Sequence, residues 1–193
     1  FDGVNIEYVN PFKNSLVTGT KLTNYEYEAI DRALDFAANS EYLQYDLIAM
    51  PGITNTTLVR KLAQNTANRA DALAIIDINS GFSGKHENAG TDTLGSIATV
   101  ETAMNNLRFN NSYAATYYPE VEIVDKGKVI VPSSIAGIGA IAKSEAATGA
   151  PWFAPAGFNR GGISVLGGSS GPVVSAPAET LTKAERDRLY ENR

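Results

Sequence analysis

The stretch "ALAIIDI", Ala72 to Ile78, decides the fold. Apart from Asp77 it is wholly apolar. An unbroken apolar run of this length is the pattern of a strand covered on both faces, as in parallel sheets. To its left, "YDLIAM", Tyr45 to Met50, is a second such run, closed by Pro51-Gly52. To its right, "YAATYY", Tyr113 to Tyr118, is a third, ended by Pro119. Helical periodicity fills both gaps. Asn55 or Thr56 caps a segment carrying Leu58, Val59, Leu62 and Ala63, which ends near Ala70. Thr93 to Leu107 places Leu94, Ile97, Ala98 and Met104 on one side. Strand, helix, strand, helix, strand at these lengths predicts βαβ crossovers. The expected class is α/β, a mostly parallel sheet with helices packed on it.

The flanks add to this frame. Residues 1–22 alternate weakly and read as short strands or a linker. Thr23 followed by Glu26 reads as a capping box for a helix over Asn24 to Ala38, with Tyr27, Ile30, Ala33, Leu34 and Ala37 at helical spacing. "VEIVDKGKVIV", Val121 to Val131, predicts a β-hairpin turning at Asp125-Lys126-Gly127. Pro132 suits the first turn of a helix that Gly149 stops. Gly137 and Gly139 inside that helix each cost about 1 kcal/mol relative to Ala, so another backbone is expected to approach there. "GAPWFAPAGFNRGG", Gly149 to Gly162, is too rich in Gly and Pro for a helix. Residues 163–180 read as a Gly/Ser/Pro-rich loop, and Leu181 to Glu191 as a charged C-terminal helix. The whole, 1–193, reads as one domain.

Composition narrows the chemistry. Hydrophobic residues are 44% of the 193, enough for a real core. The net charge of −5 disfavours a nucleic-acid partner, because an acidic surface repels phosphate. With no cysteine there are no disulfides or thiolate metal sites. No apolar run approaches the ~20 residues of a membrane span, so no membrane partner is expected, and no signal peptide is visible. The chain opens on Phe1 rather than Met, which leads to the expectation of a piece of a longer protein.

No motif predicts an enzyme. His86 is the single histidine. It lies in the polar loop "SGKHENAG" without a nucleophile motif, and reads as a solvated loop residue rather than a base. There is no G-x-S-x-G. "GFSGKHE" lacks the spacing and the Ser/Thr of a Walker A loop, "GIGAIA" lacks a third glycine, and "GGSSG" lacks a strand-to-helix setting. The sharpest candidate is "DINSGFS", Asp77 to Ser83. Asp77 stands at the C-terminal end of a predicted parallel strand, where open α/β sheets bind ligands. A carboxylate followed by hydroxyls suits Mg²⁺ and is similar to the D-x-S-x-S site of adhesion domains. Asn79 and Gly81 occupy the two serine positions of that pattern, so the competing reading is that Asp77 orders the loop after it. Trp152, Phe153, Pro155 and Phe158 read as anchors nailing an irregular segment to the body. A buried ring of 150–250 Å² contributes a few kcal/mol at about 25 cal/mol per Å². Arg160 and Asn159 are the polar groups beside them.

Three stretches carry a resemblance. "YAATYYPEVEI" supplies Tyr117, Tyr118 and Pro119. "VPSSIAGIGAIAKSEAATGAPWFAPAG" supplies Pro132, Ser133, Ala136, Gly137 and Ala142, then Gly149, Trp152, Ala154, Pro155, Ala156 and Gly157. In this order they resemble the Y-A-A-x-Y-Y-P-W, P-P-S-G-x-x-A-G-x-x-A-R-x-D and G-x-W-x-A-P-A-N/G segments of the contractile tail sheath proteins of myovirus-type bacteriophages. "FDG" at Phe1, "ALDFAA" at Ala33, "MPG" at Met50 and "ALAIIDI" at Ala72 fall in the family's order as well. Glu120, Lys143 and Glu145 depart from it, standing where the family has Trp, Arg and Asp.

The resemblance implies a structural subunit rather than an enzyme, without cofactor or metal. Sheath subunits form stacked hexameric rings around a tail tube and contract to drive it through the host envelope. Their partners are other copies, the tube protein, and baseplate and tail terminator proteins. They are assembled in the host bacterial cytoplasm and reside in the virion. Related sheaths occur in type VI secretion machines and R-type pyocins. It also implies that "LTKAERDRLYENR" leads into a C-terminal strand-exchanging domain, so that this chain is a core fragment. Structural anchoring is then the expected role of Tyr118, Pro119, Gly137, Trp152, Phe153, Pro155 and Phe158. The alternatives are a small α/β hydrolase, a Mg²⁺-dependent enzyme or an adhesion-type binding module, each using the Asp77 loop.

Overall fold

The computed structural model describes residues 17, 24–85, 90–124, 127–150, 152–163 and 173–191. The first 22 residues, apart from Val17, lie outside the described set, as do Thr23, His86 and residues 167–172. The chain is a mixed α/β fold. Three strands, β1 (Leu47–Ala49), β2 (Leu73–Ile76) and β3 (Ala114–Thr116), form a parallel sheet in the order β1-β2-β3. The crossovers are α2 (Thr56–Arg69) and α3 (Ile97–Leu107), preceded by α1 (Tyr25–Ala37).

The unbroken apolar run of β2 is explained by its two covered faces. Ala74, Ile76 and Ile78 join Leu58, Leu62, Val100, Tyr27 and Leu34 in the main core. Ile75 and Asp77 point the other way, toward α4 (Ser133–Thr148). A second, antiparallel sheet has the order β5-β4-β6. Strands β4 (Val121–Val124) and β5 (Lys128–Val131) make the expected hairpin. Strand β6 (Val173–Pro177) pairs with the other edge of β4, with a register shift between Glu122 and Ile123. Its smaller core of Val121, Ile123 and Ala136 lies against α4. Helix α4 is therefore shared by both sheets, which its small residues permit.

Several boundaries differ from the sequence expectation, each for a local reason. Helix α1 is capped by Asn24, whose side chain accepts from the Tyr27 amide at 2.8 Å, rather than by Thr23. Helix α3 begins at Ile97, not Thr93. Thr93 instead pairs with Ser83 across the loop, Ser96 provides the cap, and Leu94 is left exposed outside the helix. The stretch read as a loop over 163–180 contains β6, and the Gly149–Gly162 segment contains a single helical turn, α5 (Gly157–Arg160). The last helix, α6 (Lys183–Glu191), starts after a reciprocal box between Thr182 and Glu185. Gly149 ends α4 as expected, with φ 66° and its amide on the Glu145 carbonyl at 2.7 Å. At Gly137 the close neighbour is a side chain, not a backbone. An added Cβ would sit 2.7 Å from the Tyr117 ring.

Candidate functional site: the crevice at the end of the parallel sheet

Beyond the C-terminal ends of the parallel strands lies a crevice of about 430 Å³, lined by Gly52, Asp77, Ser80, Tyr117, Glu120 and Ser133 among others. Its floor is Asp77, which is buried. Carboxylate oxygen Oδ2 accepts the Gly52 amide at 2.9 Å and the Ser134 hydroxyl at 2.7 Å, and Oδ1 accepts the Ser134 amide at 3.0 Å. The Ser133 hydroxyl donates instead to the Tyr117 carbonyl at 2.6 Å, standing 3.4 Å from Oδ1. The cause is readable in the chain. Helix α4 opens on Pro132, which has no side-chain group to cap it. Asp77 supplies the missing acceptor and places its negative charge at the positive end of the helix.

The loop after Asp77 is built as a turn. Asn79 Oδ1 accepts the Gly81 amide at 2.9 Å, and Gly81 takes φ 85°. The two positions where an adhesion site carries serines thus form an Asx turn. Among the described residues no group of three or more His, Cys, Asp or Glu side chains converges to hold a metal.

Ser80 enters the sequence expectation only as one of the hydroxyls after Asp77, and Glu120 only as a departure from the family pattern. The Ser80 hydroxyl donates to Glu120 Oε1 at 2.5 Å and accepts the Phe82 amide at 3.2 Å. Glu120 Oε2 is buried and finds no hydrogen-bond partner among the described residues. Burial pushes the Glu120 carboxyl above the usual carboxylate range. The Ser80 bond opposes this in part, while Asp77 and Glu179 nearby add repulsion. The hydroxyl of Tyr118 is hydrogen-bonded to Glu179, and burial first, then that carboxylate, raise the phenol above its ordinary value. Glu120 and Tyr118 together join the parallel sheet to the segment after β6, where the Ala178 amide also meets the Glu120 carbonyl at 2.8 Å. No local sequence pattern announces pairings 40 and 61 residues apart.

The expected anchors divide. Tyr118 packs on the main core. Pro119, in a cis peptide, is half-buried beside it. Gly137 is pressed against Tyr117. Pro155 is half-buried in a groove between α4 and β6. Trp152 is a correction: the residue is 83% exposed and is not buried against the described residues. Phe153 is also partly exposed, and the Arg160 guanidinium lies 3.9 Å from the centre of its ring. The segment is held instead by polar bonds, the Ser144 hydroxyl to the Phe153 carbonyl at 3.0 Å and the Lys143 ammonium to the Gly162 carbonyl at 3.3 Å. The side chains of Phe158 and Asn159 lie outside the described set. A search of protein-family models, of curated proteins and of solved structures finds no match to this chain.

Proposed function

We propose that this chain is the core of a structural assembly subunit of the contractile tail sheath type, working through contacts between copies rather than through bond-making chemistry. One observation carries the reading. Several of the residues behind the sequence resemblance, Tyr117, Tyr118, Ser133, Gly137 and Gly149, stand where the fold joins its two sheets. Tyr117 packs on Gly137, Ser133 bonds Tyr117, Tyr118 bonds Glu179, and Gly149 ends the shared helix. The carboxylate at the strand end, where an enzyme of this class would place chemistry, is engaged in capping that helix. A subunit of this kind stores its working energy in alternative lattices of contacts, each favoured in one state. Its partners would be other copies and the tube, baseplate and terminator proteins of a phage tail, in the virion.

The test is negative-stain microscopy of the protein expressed from its complete reading frame. Striated tubes of stacked rings are expected; dispersed single particles under all conditions would overturn the proposal. The second reading, a hydrolase, Mg²⁺-dependent enzyme or adhesion-type module at the Asp77 loop, rests on the orphaned Glu120 oxygen beside the crevice. Calorimetric titration with Mg²⁺ separates it, since tight binding lost in Asp77→Asn would favour it.

A further inference from the structure

Charge and aromatic surface are unevenly distributed over this molecule. Residues 24–46 hold six of the 21 carboxylates and one of the 16 basic residues, so the other 15 and 15 balance and this one segment accounts for the whole net charge of −5. The same segment exposes a flat aromatic pair. Phe36 and Tyr42, 57% and 72% exposed, stack with ring centroids 6.0 Å apart and planes 4° from parallel. The exposed carboxylates of Asp35 and Glu41 border it; Lys61 pairs with Asp31 and Asp35, and Arg69, which bonds the Ala37 and Leu43 carbonyls, pairs with Asp71. The second uneven surface is the one around Trp152. There the exposed indole stands beside Phe153, with the exposed cations Arg160 and Lys143 next to it.

The two surfaces lie on opposite sides of the parallel sheet. Helix α1 packs outside α2, which covers one face of β2. The Trp152 segment is fastened to α4, which covers the other face. An acidic aromatic platform on one side and a tryptophan flanked by cations on the other are complementary between copies and cannot meet within one. We propose that the Trp152 surface of one copy docks on the Phe36–Tyr42 platform of the next, with Arg160 facing Glu41. This rests on the assembly reading and gives it a partner surface. Because the two halves of the contact differ, it is head-to-tail. Such a contact propagates into rings or filaments instead of stopping at a two-fold dimer. Tryptophan and arginine are the residues that most often dominate contact energy, and offset or stacked rings add to it. The charge pairing makes the contact sensitive to salt.

The absence of cysteine permits a direct test. Ser40→Cys and Ala154→Cys, exposed positions beside Glu41 and Phe153 that leave the proposed pair intact, are introduced together and treated with a short bis-maleimide at protein concentrations of about 0.1–1 mM, where weak contacts populate. A ladder of dimers, trimers and higher species is expected. A mixture of the two single variants should stop at dimers, and Ser40→Cys with Lys183→Cys, on a helix packed against α3, should give no ladder. An absent ladder, an equal ladder from the control pair, or efficient dimers from either single variant alone would each overturn head-to-tail docking. In parallel, Trp152 emission should shift to the blue as concentration rises. Arg160→Glu should weaken this association at least about tenfold, and adding Glu41→Lys should restore it; failure of the restoration counts against the pairing. If Arg160→Glu leaves striated tubes of the complete protein intact, the pairing is wrong and assembly stands. If the ladder forms but the complete protein makes no tubes, the pairing stands and the sheath reading falls.

Discussion

Asp77 illustrates how one residue type serves two opposite expectations. A carboxylate at the end of a parallel strand is where ligand chemistry is sought, yet here it satisfies the Gly52 and Ser134 amides and the Ser134 hydroxyl. Asp77→Ala would strand three donors in a buried place and should lower stability by about 2–4 kcal/mol in urea unfolding. The melting temperature of the parent protein should not respond to millimolar Mg²⁺. Trp152 is the reverse case, a large ring expected inside and found outside. Trp152→Ala should therefore change unfolding free energy by less than about 0.5 kcal/mol, and native emission at low concentration should be red-shifted and readily quenched. A loss of several kcal/mol would mean that the ring is covered.

Among elements, α4 and the segment leading into it carry the joint between the sheets. Gly137→Ala gains about 1 kcal/mol of helix propensity but drives a methyl into the Tyr117 ring, at a cost of about 1–3 kcal/mol. We expect a net loss in the parent and a net gain in a Tyr117→Ala background, both read from denaturation midpoints; the same sign in both would contradict the packing argument. Glu120 adds a pH dependence. Its carboxyl is raised in the folded state by burial and by its neighbours Asp77 and Glu179, so the folded protein holds this proton more tightly than the unfolded chain. Its contribution to stability is full below the ordinary carboxylate range and declines as pH rises through the raised value. Glu120→Gln should flatten that decline and raise the midpoint at neutral pH; an unchanged pH profile would rule Glu120 out as its source. Legibility follows the same division. The parallel strands, α2, the hairpin and the Gly149 stop were readable because apolar runs, caps and turns are local signals. The cap of α1 lies one residue beyond the expected Thr23, at Asn24, because both residues are good acceptors. Strand β6 was hidden because it lies at a sheet edge with mostly exposed residues, so burial imprints no pattern on it. The crevice was half legible: Asp77 by position, but Ser80, Glu120 and Glu179 only through long-range pairing.

For the whole molecule, the relevant quantity is how weakly separate copies attract. The chain has its cores inside and exposed aromatic surfaces outside, and a single small face contact between copies is weak. Sedimentation at micromolar concentration should give a 20.5 kDa monomer. Reversible association should emerge only at higher concentration and recede with added salt. Stable regular hexamers of this chain at micromolar concentration would show that the contact is far stronger than one head-to-tail patch explains.

The remote cap on α4 also has a kinetic meaning. The start of that helix is fixed by a residue just past β2, 57 positions earlier, so the contact cannot reward the chain until a long loop has closed. The β1–α2–β2 unit, with its short separations, is the natural nucleus, and α4 docks on it late. Ser134→Ala, which removes a donor on the α4 side and leaves the Gly52–Asp77 bond of the nucleus in place, should then accelerate unfolding far more than it slows refolding, giving a φ-value near zero in a chevron analysis. A value near one would place the docking of α4 in the nucleus itself.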